Sequence, residues 1–419
     1  MASDSPLFDG GRQGEGETQY EEGTERDGGG SLPLGLPSWL GALLPLLVLA
    51  ALIVGLLVFP PFADLGGAPL PDVSVTHSTV PDSETIVLHV TNNGPESVTI
   101  QQVLVNDAYW NFTVADGGES ARTLAPMESK PVQIPYHWQA GWDIHTALVI
   151  DDGATIPHTI VAAQLTQGVT TSLLGTLALV GLFVGVIPVL LGMAWFPFMR
   201  KLSDRWLHAV LAFAGGVLAF LAIDAGFGAL EVAEEMPGAF DGPILVVAAA
   251  VGTLLLVQAI ASYWREDGRL SPLGLAYLVA LSIGLHNLAE GLAIGGAVAI
   301  GRVSLGAFLV VGFMVHNVTE GPAVVAPIAR DERPSLGHFA ALGALAGAPV
   351  ILGGWIGSYA LSPTLGGVFI AVGVGAIVQV LWELGTMIQR DGRLASTTNL
   401  LAALAGLVVM YLTDLLVAL

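Results

Sequence analysis

The chain has 419 residues, 53% of them hydrophobic and only 12% charged, with 53 glycines. So few charges exclude a soluble domain of this length, and abundant glycine suits close helix packing in lipid, so the class is a polytopic membrane protein. The formal charge of −21 argues against nucleic-acid or anionic-lipid partners, and the absence of cysteine excludes disulfides and thiolate metal sites.

Residues 1–32 are acidic, Gly-rich and nearly free of aliphatics, which predicts a disordered tail. They lack the layout of a signal peptide, a basic start running directly into a short apolar core. Residues 33–62 hold a first transmembrane helix. Its uncharged run 38–59, "SWLGALLPLLVLAALIVGLLVF", is long enough to cross about 30 Å of hydrocarbon.

Residues 68–162 change period. "ETIVLHVTNNGPESVTIQQVLVND" alternates apolar and polar residues, with "NNGPES" reading as a turn between strands. "PVQIPYHW" and "HTALVIDDG" continue the pattern, so a small β-sandwich is expected. The triplet Asn111-Phe112-Thr113 suits an external face. His77, His89, His137, His145 and His158 read as histidines scattered over strands, a pattern that rarely binds metal.

From 165 to 419 come eight apolar runs, about 169–195, 206–231, 242–263, 272–298, 304–328, 336–360, 366–387 and 396–418, joined by short loops. Arg200, Lys201, Arg205, Arg265, Arg269, Arg330, Arg333, Arg390 and Arg393 all fall in the odd loops, and only Arg302 falls in an even one. The positive-inside rule therefore puts the odd loops in the cytoplasm. The β-domain and the C-terminus are then extracellular, and residues 1–32 are cytoplasmic. The expected fold class is an all-α polytopic membrane protein: an eight-helix bundle preceded by one extra transmembrane helix and a small extracellular β-sandwich domain.

Ionisable groups inside the spans are few: Asp224, His286, Glu290, His316, Glu320 and Glu383. Each costs about 2.5–3.5 kcal/mol at mid-membrane without a partner or a watery cavity. "HNLAEG" and "HNVTEG" repeat His-Asn-x-x-Glu-Gly on consecutive spans. Residues three and four apart share a helix face, so His286, Asn287 and Glu290 can meet His316, Asn317 and Glu320 between two helices. Imidazole with carboxylate suits Zn²⁺, Fe²⁺ or Mn²⁺, and a dication compensates two buried carboxylates. A lone histidine in a span is more often a packing residue, but the repeat argues for a site. The spacing is neither His-Glu-x-x-His nor the Glu-x-x-His of di-iron bundles, which weakens a hydrolase reading. Asp224 reads equally as a structural partner or a pathway residue. Glu383 reads equally as a site residue or a snorkelling carboxylate near the cytoplasmic end of its span. His208 and His338 read as interface residues.

"HNLAEGLAIGGA" and "HNVTEGPAVVAP" resemble the fourth and fifth helices of the ZIP (Zrt/Irt-like protein) metal transporters, and the resemblance covers about 165–419. "FAGGVLAFLAIDAGFGALEVAEE" looks like the second helix and "GVGAIVQVLWEL" like the seventh, with Glu383 at a recurrent family glutamate. The first 160 residues have no counterpart in the family core. The resemblance implies a transporter rather than an enzyme. Its substrate would be Zn²⁺ foremost, or Fe²⁺, Mn²⁺ or Cd²⁺, carried to the cytoplasm by elevator-like sliding of helices one, four, five and six, with no prosthetic group. His286, Asn287, Glu290, His316, Asn317 and Glu320 carry over as transport-site positions, with Asp224 and Glu383 as further metal candidates. Glu231, Glu234 and Glu235 would draw the ion in. The partners are divalent ions and the bilayer, with a homodimer compatible.

Three departures stand out. Ala289 and Thr319 replace the usual prolines, Ala348-Pro349 replaces Glu-Pro, and Asn317 stands where some members have Asp. The last two imply one main metal position. The third loop also lacks histidines. The alternatives are a membrane metal sensor with an external ligand-binding domain and, further off, a membrane-embedded metallohydrolase.

Overall fold

The computed structural model describes residues 38–58, 71–114, 119–166, 168–265, 270–301, 303–330, 333–359 and 362–418. The expected tail 1–32 lies outside them. The first expected span corresponds to helix α1, Ser38–Val58, a unit by itself.

The strand region holds nine strands: β1 Val73–Asp82, β2 Thr85–Asn92, β3 Val98–Val105, β4 Ala108–Trp110, β5 Thr113–Val114, β6 Thr123–Leu124, β7 Ser129–Pro135, β8 Ile144–Ile150 and β9 Thr155–Ile160. They form two antiparallel sheets, β1-β2-β7-β5 and β4-β3-β8-β9, with β6 on β3. Period-two alternation sends Ile86, Leu88 and Val90 of β2, Val132 and Ile134 of β7, and Ile100 and Leu148 of the second sheet into one apolar core. Asn106 and Asp107 both take positive φ, as a two-residue hairpin between β3 and β4 demands.

"NNGPES" lies between two strands as expected, β2 and β3. β2 and β3 belong to different sheets, and the segment between them crosses over. Asn92 organises the crossing. Its buried amide donates to the carbonyls of Glu96 (2.6 Å) and Leu124 (3.1 Å) and accepts from the Gly94 N–H (3.0 Å).

The rest is helical. α2 Thr171–Gly181 runs through a π turn, Leu182–Val186, into α3 Ile187–Met193 and the short α4 Phe196–Met199. α5 Asp204–Glu234, α6 Gly242–Trp264, α7 Pro272–Ala299 and α8 Val303–Val325 follow. α9 Leu336–Gly347, α10 Pro349–Tyr359, α11 Pro363–Asp391 and α12 Thr397–Ala418 complete the chain. Among the described residues, eight helical segments are long and apolar enough to cross a membrane, the architecture of a multi-pass membrane protein. Outward side chains such as Phe227, Leu255 and Leu404 are apolar and exposed, as a lipid-facing surface requires.

Capping chemistry starts several of these helices. Thr170, Ser271 and Ser335 accept the N–H groups of Leu173, Gly274 and His338, and Pro272 sits in the first turn of α7, where its missing N–H is harmless. The expected span 336–360 is a single crossing segment, Leu336–Tyr359, made of two helical pieces. Pro349 cannot donate to the preceding turn, and the helix restarts as α10.

The helices pack in two groups. α7 lies on α8, α9 and α10, and α8 lies on α3; α5 lies on α11 and α12, and α6 on α11. α11 against α7 is the main seam between them. At the sheet end, the Gly238 N–H, just beyond α5, donates to Asp72 (3.1 Å). At the other end Arg330 donates to the Leu202 carbonyl (2.8 Å) and to Asp204 (2.7 Å).

Candidate metal centre

Each repeat of the sequence motif sits on a long helix whose next residue is a buried glycine. A Cβ on Gly291 would strike the Val350 carbonyl of α10, and one on Gly321 would strike the backbone of α3 at Gly192 and Met193. Each motif helix is thus pressed onto a different neighbour, backbone against backbone. That leaves the faces carrying the polar residues turned toward one another.

There His286, Glu290 and His316 converge, all buried, with one ligand atom from each lying within 4.8 Å of the others. Among the described residues this is the one such group. Glu290 Oε1 is in close contact with His316 Nε2 and lies 3.2 Å from His286 Nε2, the latter without hydrogen-bond alignment. Glu290 Oε2 accepts from the Asn317 amide at 3.1 Å. Phe313 closes one side of the His316 ring, edge-on with centroids 5.5 Å apart.

The two asparagines have a second task. Asn317 Nδ2 also donates to the Val184 carbonyl (3.1 Å) in the π turn. Pro188 stands four residues on from Val184 and has no N–H, so that carbonyl lacks its usual helical donor. Asn287 Nδ2 donates to the Ala346 carbonyl (2.9 Å), in the last turn of α9 just before the Pro349 break. Asn317 therefore ties its helix to a carbonyl that Pro188 leaves without its α-helical donor, and Asn287 ties its helix to a carbonyl in the last turn of α9. Their Oδ1 atoms stay buried and unpaired.

Glu320 is buried, and neither carboxylate oxygen has a hydrogen-bond partner. It stands outside the 4.8 Å group. Asp224 is exposed and lines a cavity of about 220 Å³ that reaches His286, Glu290 and His316 between α5, α7, α8 and α12. Asp414 of α12 lines the same cavity. Sequence reading missed it, although an aspartate inside the apolar run 396–418 was a visible signal.

Glu383 does not snorkel. It is buried, accepts a hydrogen bond from Gln379 Nε2 (3.0 Å), and does not line the cavity. His208 is likewise buried, its ring close to Gly392, whereas His338 pairs with the Tyr277 hydroxyl (2.9 Å). Glu235 faces the sheet region rather than the cavity.

Unpaired buried acceptors cost about 1–3 kcal/mol each, more when charged. His286, Glu290 and His316 form a donor set without thiolate, and the buried oxygens of Glu320, Asn287 and Asn317 are without hydrogen-bond partners. A divalent cation satisfies such a set. The sequence matches no family model and no curated protein.

Proposed function

We propose that the chain is a divalent-metal transporter of the ZIP type, with residues 165–419 as the transporting bundle and Zn²⁺ as the foremost cargo. The observation that carries this is the buried His286–Glu290–His316 group at the inner end of a cavity whose walls include Asp224 and Asp414. A structural metal would be enclosed; this one would have a way in. Imidazole and carboxylate without thiolate hold a dication firmly enough to strip water yet loosely enough to release it.

The two helix groups support an elevator-like step. The centre belongs to α7 and α8, which pack with α3, α9 and α10, and the cavity runs along their boundary with α5, α11 and α12. Sliding of the first group would carry the ion from one face toward the other. We assign the faces by the clustering of Arg and Lys in the odd loops: those are cytoplasmic, and the two-sheet region, read as a β-sandwich, is extracellular.

The test is ion flux into liposomes holding the purified chain, over Zn²⁺, Cd²⁺, Mn²⁺ and Fe²⁺. At least one ion should move, and Glu290→Ala should stop it. If none moves, or if Glu290→Ala moves as much as the parent chain, the reading fails.

A further inference from the structure

The sequence holds two Asn-x-Thr triplets, Asn111-Phe112-Thr113 in the strand region and Asn317-Val318-Thr319 in α8. Such a triplet accepts an N-linked glycan where its asparagine is open to solvent on the outer side of a membrane. Burial separates the two. Asn317 is 0% exposed, and its amide is spent on Val184 and Glu290. Asn111 is exposed, and its side chain has no hydrogen-bond partner among the described residues.

The local fold presents the first triplet. Exposure alternates along 111–114: Asn111 and Thr113 are exposed, Phe112 and Val114 are buried. Phe112 is the anchor, 8% exposed, with the Arg122 guanidinium 4.5 Å from the centre of its ring. The amide and the hydroxyl two residues on thus stand outside together, as an acceptor triplet requires.

The place in the fold adds an independent reason. Asn111 lies between β4 and β5, and each is the end strand of its sheet. Two open edges therefore come to this corner. It lies away from β1, the strand beside Asp72, which accepts the Gly238 N–H at the bundle. Open strand edges template pairing with other chains unless something covers them. Tyr109 of β4, two residues before Asn111, is 75% exposed. A bulky, hydrated group on Asn111 would shield both the edges and this ring.

We propose that Asn111 is a glycosylation site and carries an N-linked sugar chain. Its Nδ2 attacks the anomeric carbon of an oligosaccharide linked to a polyisoprenyl phosphate or pyrophosphate. The N–C bond forms and the C–O bond to phosphate breaks. The phosphate leaves with that electron pair, and the amide gives up one proton to a base of the transferase. The step rests on the outer placement of the strand region proposed above, and not on the cargo.

The experiment is mass spectrometry of peptides from the full chain, purified from the membranes of its own host. The peptide holding Asn111 should be heavier by a sugar chain. Thr113→Ser should keep that mass and Thr113→Ala should lose it, both at an exposed position outside the core. The proposal is overturned if Asn111 is bare in the parent chain, or if the Thr113→Ala chain still carries the sugar. Failure of the outer placement shows separately. The chain has no cysteine, so Asn111→Cys reports its side of the membrane by reaction with an impermeant maleimide on intact cells. A labelled Asn111→Cys beside a bare parent Asn111 sinks the glycan alone; no labelling sinks the outer placement with it.

Discussion

At the scale of single residues, Glu290 is the hinge of the candidate metal centre, because both imidazoles and the Asn317 amide reach its carboxylate. Glu290→Gln and His316→Ala should each lower Zn²⁺ flux at least about tenfold while leaving the fold intact, since losing even an outer partner of a metal site costs that much affinity. Initial rates in liposomes read this directly. Asp414 acts at a distance, through its charge at the cavity wall. Asp414→Asn should raise the half-saturating ion concentration about threefold with little change in maximal rate; an unchanged half-saturation would remove Asp414 from the pathway. The histidines and glutamates of the centre stood out in the sequence, because ionisable groups in apolar runs are conspicuous. The paired work of Asn287 and Asn317 did not. It depends on the Ala346 and Val184 carbonyls of other helices, and nothing near residues 287 and 317 in the sequence points to them.

At the scale of elements, close approach decides which helices can carry the site. Gly291→Ala puts a methyl into the Val350 carbonyl, backbone that cannot move aside. The loss should be about 1–3 kcal/mol or more, seen as earlier thermal unfolding in detergent. Gly226→Ala makes the contrast: nothing lies within 4 Å of that position, and a helical alanine should be neutral or stabilise by up to about 1 kcal/mol.

The β1–β2 pair carries a pH dependence with a definite sign. His77 protonates near 4 when folded and near 6.5 otherwise, because burial, His89 and His158 all oppose its charge. The unfolded chain binds more protons between those values, so stability is full above about pH 6.5 and falls as pH drops toward 4. With the ring partly open to solvent, the loss should not exceed about 1–2 kcal/mol. Hydrogen exchange of the β1 and β2 amides should speed up over that window, and less so in His77→Gln, where the buried His89 and His158 still oppose protonation. Alternation made the strands legible in the sequence, but the stacking of His77 on His89 needed their register, which the chain order does not state.

At the scale of the whole molecule, Arg330 links the end of α8 to the loop before α5 and to Asp204, and so joins the two helix groups at the end far from the sheets. The pair with Asp204 is exposed, so Arg330→Ala should cost no more than about 1 kcal/mol. It should still change the flux rate measurably if the groups slide past each other. Equal rates would show that this contact is not broken during transport. A chain lacking residues 1–160 should retain flux, because the metal centre and its cavity are built wholly from residues beyond 220; loss of flux would make the strand region part of the mechanism.

The sequence by itself determined the eight apolar helices, the strand region before them and the two polar motifs. Hydropathy, alternation and buried charge are written into neighbouring residues and survive without knowledge of the fold. Only the tertiary structure decided that "NNGPES" joins two sheets, that Asp414 shares a cavity with Asp224, and that His77 stacks on His89. Each of these depends on which distant segments meet. Backbone contact at Gly291 and Gly321 and strand register settle that, and neither is a local property of the chain.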